Sequence, residues 1–143
     1  MKVTIMLADH AQAFNNKLFI LGGGLSTVQI GVPFAIALLI EVPWDQANEK
    51  HNFVLRLIDE DGNAVLLPGP AEPSPVEVGM AFEVGRPPGT KKGSRLPFTL
   101  ALNFAPMSLI PDKIYVWSLT IDEEKSKDWE LAFAAVGPAV SPV

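Results

Sequence analysis

A chain of 143 residues with no cysteine is sized for one domain around one core, and it excludes disulfides, thiolate catalysis and cysteine-ligated zinc or iron–sulfur centres. Its formal net charge of -5 opposes the cationic field that a phosphate backbone requires, so no nucleic-acid partner is expected. Hydrophobic residues make up 48% and charged residues 19% of the chain, a balance apolar enough to leave surface for a partner to cover.

The apolar run at residues 3–8 is too short for the core of a secretion signal. The longest one, residues 34–40, is far short of the roughly 20 residues of a membrane-spanning helix. The expectation is a cytoplasmic protein with no membrane partner.

Turn formers recur along the chain, at Asn15-Asn16, residues 22–24, 31–33, 61–62, 68–75, 87–89 and 111–112. Segments that short between turns read as strands, and only residues 45–50 leave room for a brief helical turn. Val3, Ile5 and Leu7, then Leu18 and Ile20, then Val28 and Ile30 give three weak strands, the first two joined as a hairpin across Asn15-Asn16. Gly22, Gly23 and Gly24 follow a strand, as in a phosphate loop, but neither a lysine nor a helix start comes after them. A structural bend is the expected role.

Residues 33–43 form the most buried strand, with Phe34, Ile36, Leu38, Ile40 and Val42 on one face and Ala35, Ala37 and Leu39 on the other. Phe53, Leu55 and Leu57 alternate with Val54, Arg56 and Ile58, and residues 59–63 turn the chain into a short strand at 65–67. Asp59, Glu60 and Asp61 are too sparse for calcium by themselves and would need further carboxylates, such as Asp122, Glu123 and Glu124 from a neighbouring loop; a tight turn accounts for their composition without an ion. Period-two alternation then marks strands at 76–84, 96–104, 114–121 and 129–133.

This order suits an all-β fold: an immunoglobulin-like antiparallel sandwich with an added N-terminal hairpin, spanning 1–137 as one domain, with a flexible tail at 138–143. Tyr115, two residues before the core position Trp117 and after a crossing loop, resembles the corner tyrosine of immunoglobulin-like domains. Its hydroxyl is expected to bond the backbone of the preceding loop.

A further resemblance spans the chain. The segments Leu7-Ala8-Asp9-His10-Ala11-Gln12, Lys17-Leu18-Phe19-Ile20 with the glycine triplet, Glu41-Val42-Pro43-Trp44-Asp45 and Phe82-Glu83-Val84-Gly85-Arg86-Pro87-Pro88-Gly89 together resemble a bacterial family of small proteins of unknown function. That resemblance implies a stand-alone bacterial sandwich and carries over no catalytic residue.

Imidazole chemistry would have to use His10 or His51, and Asp9 beside His10 makes the former the more suggestive, although neighbours on a strand point to opposite faces. No nucleophile elbow accompanies the serines. Arg86, Lys91, Lys92 and Arg95 form a proline-stiffened basic loop suited to an acidic partner. Trp44, Asp45 and Trp129 sit at strand ends, where they either close the core or line a ligand pocket.

The expected function is therefore a non-enzymatic binding or assembly module, with Asp9, His10, Trp44, Asp45, Arg86 and Trp129 as binding candidates and no cofactor or metal. The alternative is a small-ligand or carbohydrate-binding domain using Trp44 or Trp129, and an enzyme centred on His10 ranks third. Ala35, Ala37, Leu39, Val54 and Ile58, apolar yet turned from the core, predict a homodimer or a protein partner, unless the N-terminal hairpin covers them.

Overall fold

The computed structural model describes residues 1–68, 70 and 72–137; the expected tail at 138–143 lies outside the described residues. Within them the chain is all-β. Its strands are β1 (Lys2–Ala8), β2 (His10–Phe14), β3 (Lys17–Leu21), β4 (Thr27–Gln29), β5 (Phe34–Val42), β6 (His51–Asp59), β7 (Leu66–Leu67), β8 (Ser74–Pro75), β9 (Glu77–Phe82), β10 (Leu96–Phe104), β11 (Ile114–Ile121) and β12 (Glu124–Val136), with one 3-10 turn at Trp44–Gln46.

These strands form a three-stranded antiparallel sheet in the order β1-β5-β10 and a five-stranded mixed sheet in the order β4-β12-β11-β6-β9, with two small hairpins, β2-β3 and β7-β8. The mixed character comes from β4, which pairs parallel to β12 through Thr27↔Ala134 and Gln29↔Val136. Alternation does the rest. The even-numbered side chains of β5 join Phe53, Leu55 and Leu57 of β6 and Tyr115, Trp117, Leu119 and Ile121 of β11 in one core between the two large sheets. Its densest part is aromatic: Trp117 lies 5.2 Å from Phe104 and 6.5 Å from Phe34, and Tyr115 stacks at 5.8 Å on Phe133. The Tyr115 hydroxyl accepts a 2.9 Å hydrogen bond from the Ile110 N–H, the backbone bond expected of it.

The hairpin across Asn15-Asn16 exists, but its first strand is β2 rather than residues 3–7. Asn15 and Asn16 both adopt positive φ, 51° and 55°, the two-residue turn whose twist matches a hairpin. β1 instead lies along β5, from Lys2↔Glu41 to Ala8↔Ala35. The chain breaks between β1 and β2 at Asp9, whose N–H is shared by the Leu21 and Gly22 carbonyls at 3.0 and 3.2 Å. The glycine triplet is a bend, as expected: Gly24 and Leu25 both donate to the Leu7 carbonyl. Gly22 has φ +63°, and a Cβ there would overlap the Asp9 carboxylate.

That hairpin corrects the expected interface. Ala35 and Ala37 are 0% and 2% exposed because Ala11 and Leu18 of the hairpin pack on them. Asn103 locks the cover in place, donating to the Ala11 carbonyl at 2.8 Å and accepting from its N–H at 3.3 Å. Leu39 is half-buried on the same sheet, whereas Val54 and Ile58 are half-buried on β6 of the other one. The five residues do not share a face.

The last strand is also longer than its alternation predicts. Ser118 pairs with Glu130 but Thr120 pairs with Lys125, so β12 bulges between them and only its C-terminal part keeps a regular period. Bulges redirect the side chains beside them, and this one delivers Asp128 and Trp129.

Candidate functional site

Where β5 ends, Pro43 with φ -60° and ψ 149° starts the 3-10 turn, which is closed by Gln46 N–H to Pro43 carbonyl and Ala47 N–H to Trp44 carbonyl bonds at 3.0 and 3.3 Å. This turn and the β12 bulge flank a cleft of about 750 Å³ lined by Glu41, Trp44, Asp45, Arg95, Asp128 and Trp129, with Lys2 at its edge. Trp44 is half-buried and Trp129 only 8% exposed, so Trp44 forms a wall and Trp129 part of the floor. Glu41 lies between two cations, 3.9 Å from Lys2 Nζ and 4.0 Å from Arg95 Nη1. Asp45 and Asp128 make no ion pair among the described residues.

Arg86 holds the wall. Its guanidinium sits 4.5 Å from the Trp44 ring centroid and donates to the Trp44 carbonyl from Nε at 3.2 Å and Nη2 at 2.6 Å. A stacked, hydrogen-bonded guanidinium fixes both the ring and the turn that carries it.

A second support lies behind the turn. His51 is 4% exposed, with Nδ1 2.7 Å from Asp122 Oδ2 and Nε2 3.0 Å from the Gln46 carbonyl. The other Asp122 oxygen accepts from the Asn52 N–H at 2.9 Å. Both ring nitrogens thus face acceptors, an environment that suits the imidazolium, which donates from both. Burial pulls the His51 pKa down, but the Gln46 carbonyl, the Asp122 hydrogen bond and the charges of Asp122 and Glu49 outweigh it and leave it above the ordinary 6.5. Burial likewise pushes Asp122 up, and its bonds to His51 and the Asn52 N–H more than reverse that, leaving it below the ordinary carboxylate value. The bridge ties the Trp44–Gln46 turn to the turn between β11 and β12.

Of the candidates read from the sequence, Trp44, Asp45 and Trp129 are brought together in the cleft and Arg86 buttresses it from outside the lining. Asp9 and His10 are not. They are exposed, beyond the end of β1 opposite Lys2, with His10 paired to Leu21 in the hairpin. The basic loop is divided, since Arg95 joins Glu41 while Lys91 and Lys92 stay exposed. Asp59 is engaged by its own turn, one carboxylate oxygen accepting from the Asp61 and Asn63 N–H groups at 2.9 Å each.

Sequence reasoning missed Glu41, Arg95, Asp128, His51 and Asp122 as parts of one locality. A signal for His51 was present: it continues the alternation of Phe53, Leu55 and Leu57, which puts it on the core face.

The arrangement offers recognition chemistry. His51 has no free nitrogen with which to take a substrate proton, whereas the cleft sets indole surface beside carboxylate acceptors and cationic donors, the composition of a site that orients a polar ligand. No group of three or more His, Asp or Glu residues placed to hold a metal ion occurs among the described residues, and no helix there is long and apolar enough to cross a membrane. Residues 3–134 match the sequence model of a family of unknown function, DUF6941, and the chain belongs to that family. No curated protein matches it.

Proposed function

We propose that this member of the DUF6941 family is a non-enzymatic binding module of the bacterial cytoplasm, built as an immunoglobulin-like sandwich and taking its ligand in the cleft between Trp44 and Trp129. The observation that carries the reading is the cleft itself: a tryptophan of the 3-10 turn and one of β12, far apart in sequence, both line it, flanked by charged groups of both signs. The sandwich reading is supported by the two sheet orders, β1-β5-β10 and β4-β12-β11-β6-β9, and by the Tyr115 hydroxyl bond. Titration of the purified protein with a small-molecule library, followed by tryptophan emission, tests the site. A saturable change that disappears in Trp44→Ala is expected; ligands that bind the variant as well as the parent rule the cleft out.

A second reading, assembly, rests on the outer face of the five-stranded sheet. Ile58 of β6 lies there beside Val116 of β11, with Ile114 further along β11 and Val54 beside Thr120; the four apolar residues are half-buried or exposed, where alternation usually leaves polar groups. Isologous pairing of this face with a second copy hides it. Size exclusion with light scattering should return a dimer that Val54→Asp dissociates without unfolding; a mass near the 15.4 kDa of one chain rules the pairing out.

A further inference from the structure

We infer that the cleft recognises a neutral, polyhydroxylated ring ligand, a pyranose unit of a glycan; this rests on the reading of the cleft as the binding site and adds the ligand class. Three ligand chemistries compete for a site walled by tryptophan: a cation, an anion and a neutral polar ring. The residues present separate them.

A cation would use the π-face of Trp44 and the carboxylates of Asp45 and Asp128. But the Arg86 guanidinium already lies 4.5 Å from that ring centroid, so the ring's quadrupole is engaged and a second positive charge nearby is repelled. Lys2 and Arg95 add two more positive charges to the lining. An anion fares no better. Three carboxylates, Glu41, Asp45 and Asp128, face the cleft, Glu41 occupies the two cations that could meet it, and the whole chain carries -5.

A pyranose suits the same groups without conflict. One face of the ring presents C–H bonds that pack on an indole, and its rim presents hydroxyls that donate and accept at once. Asp45 and Asp128, exposed and without ion pairs among the described residues, accept from such hydroxyls, and those N–H donors of Arg95 and Lys2 that do not face Glu41 donate to them. The volume of about 750 Å³ is in the range of small-ligand sites, roughly 300–1,000 Å³, and admits more than one sugar ring. The Trp44 wall is held in advance, its ring by Arg86 and its turn by His51, which limits the ordering cost that weak sugar contacts must overcome.

The test is a glycan array with the full chain, followed by calorimetric titration of the best binder, of tetramethylammonium and of inorganic phosphate. The expected result is saturable binding of a glycan, weakened about tenfold or more in Asp128→Asn and in Trp44→Ala, with neither ion binding. Asp128 is exposed, so its variant keeps the fold and the test stands even if Trp44→Ala unfolds. No glycan above background, or an ion bound in the cleft instead, overturns the ligand class; in the latter case sensitivity to Asp128→Asn preserves the cleft as the site. A glycan that binds both variants with parental affinity overturns the cleft itself.

Discussion

The two ends of the molecule are built on opposite plans. At the Tyr115 end, Phe34, Phe104, Tyr115, Trp117 and Phe133 stack on one another with centroids 5.2 to 6.5 Å apart, and the hydroxyl of the one tyrosine is engaged by backbone. At the Trp44 end a charged cleft has its Trp44 wall positioned by polar contacts: guanidinium on indole, imidazole between carboxylate and carbonyl. Dispersion and burial do not change with pH, whereas hydrogen-bonded charges do, so the two ends are expected to answer differently to a change of pH.

The largest effect that would test this contrast is expected from Phe133→Ala. It removes a 2% exposed ring from the aromatic stack, and should cost about 3 to 5 kcal/mol in denaturant melts, the range for a buried Phe truncation. A cost below 1 kcal/mol would mean that the closed end is not the anchor. Tyr115→Phe keeps the ring and leaves the Ile110 N–H, on an exposed residue, without its acceptor, so about 0.5 to 1.5 kcal/mol is expected, equal at pH 5.5 and pH 8.5. A null result removes the hydroxyl from the account of stability.

His51→Gln addresses the open end, and its signature is the pH dependence. The raised His51 pKa contributes stability that is complete below 6.5 and lost as pH rises through the folded value; the lowered Asp122 pKa contributes stability present above 3.8 and lost as pH falls through its folded value. The bridge is therefore strongest between those two ordinary values. Because the Asp122 side chain is 42% exposed, its share is discounted for solvent, and the parent should lose stability between pH 5.5 and pH 8.5 as His51 gives up its proton. The variant should lose clearly less; parallel pH profiles would dismiss the bridge. Smallest of all, Asp128→Asn should shift unfolding by less than about 0.5 kcal/mol, as exposed substitutions do, and a larger loss would make that residue structural.

How far these ends were legible follows from what alternation encodes. Period two identifies the face of each strand, and so found the buried side of β5, the outer position of Val54 and the core position of Tyr115. It does not identify the neighbour across the sheet. Ala35 and Ala37 were placed correctly on the second face of β5, yet what covers them is a hairpin whose first strand, β2, carries the weak pattern His10, Ala11, Gln12, Ala13 and Phe14. The site was harder still. His51 and Asp122 are 71 positions apart, and Arg86 and Trp44 are 42 apart; nothing local marks such partners, because the turns that bring them together are specified by strand pairing elsewhere. Trp129 was assigned to a strand end because the regular alternation begins with it; β12 in fact continues to Glu124 through the bulge, which alternation does not mark.

The parallel pairing of β4 with β12 has a consequence in time. Residues 27–29 wait for residues 134–136, about three quarters of the sequence away, and a ribosome supplies the intervening residues at about 5 to 20 per second. β11 likewise gains its second neighbour only when β12 emerges. The five-stranded sheet is thus completed only once residues 134–136 have been made, and until then the edge of β11 that β12 covers stays open to other nascent chains.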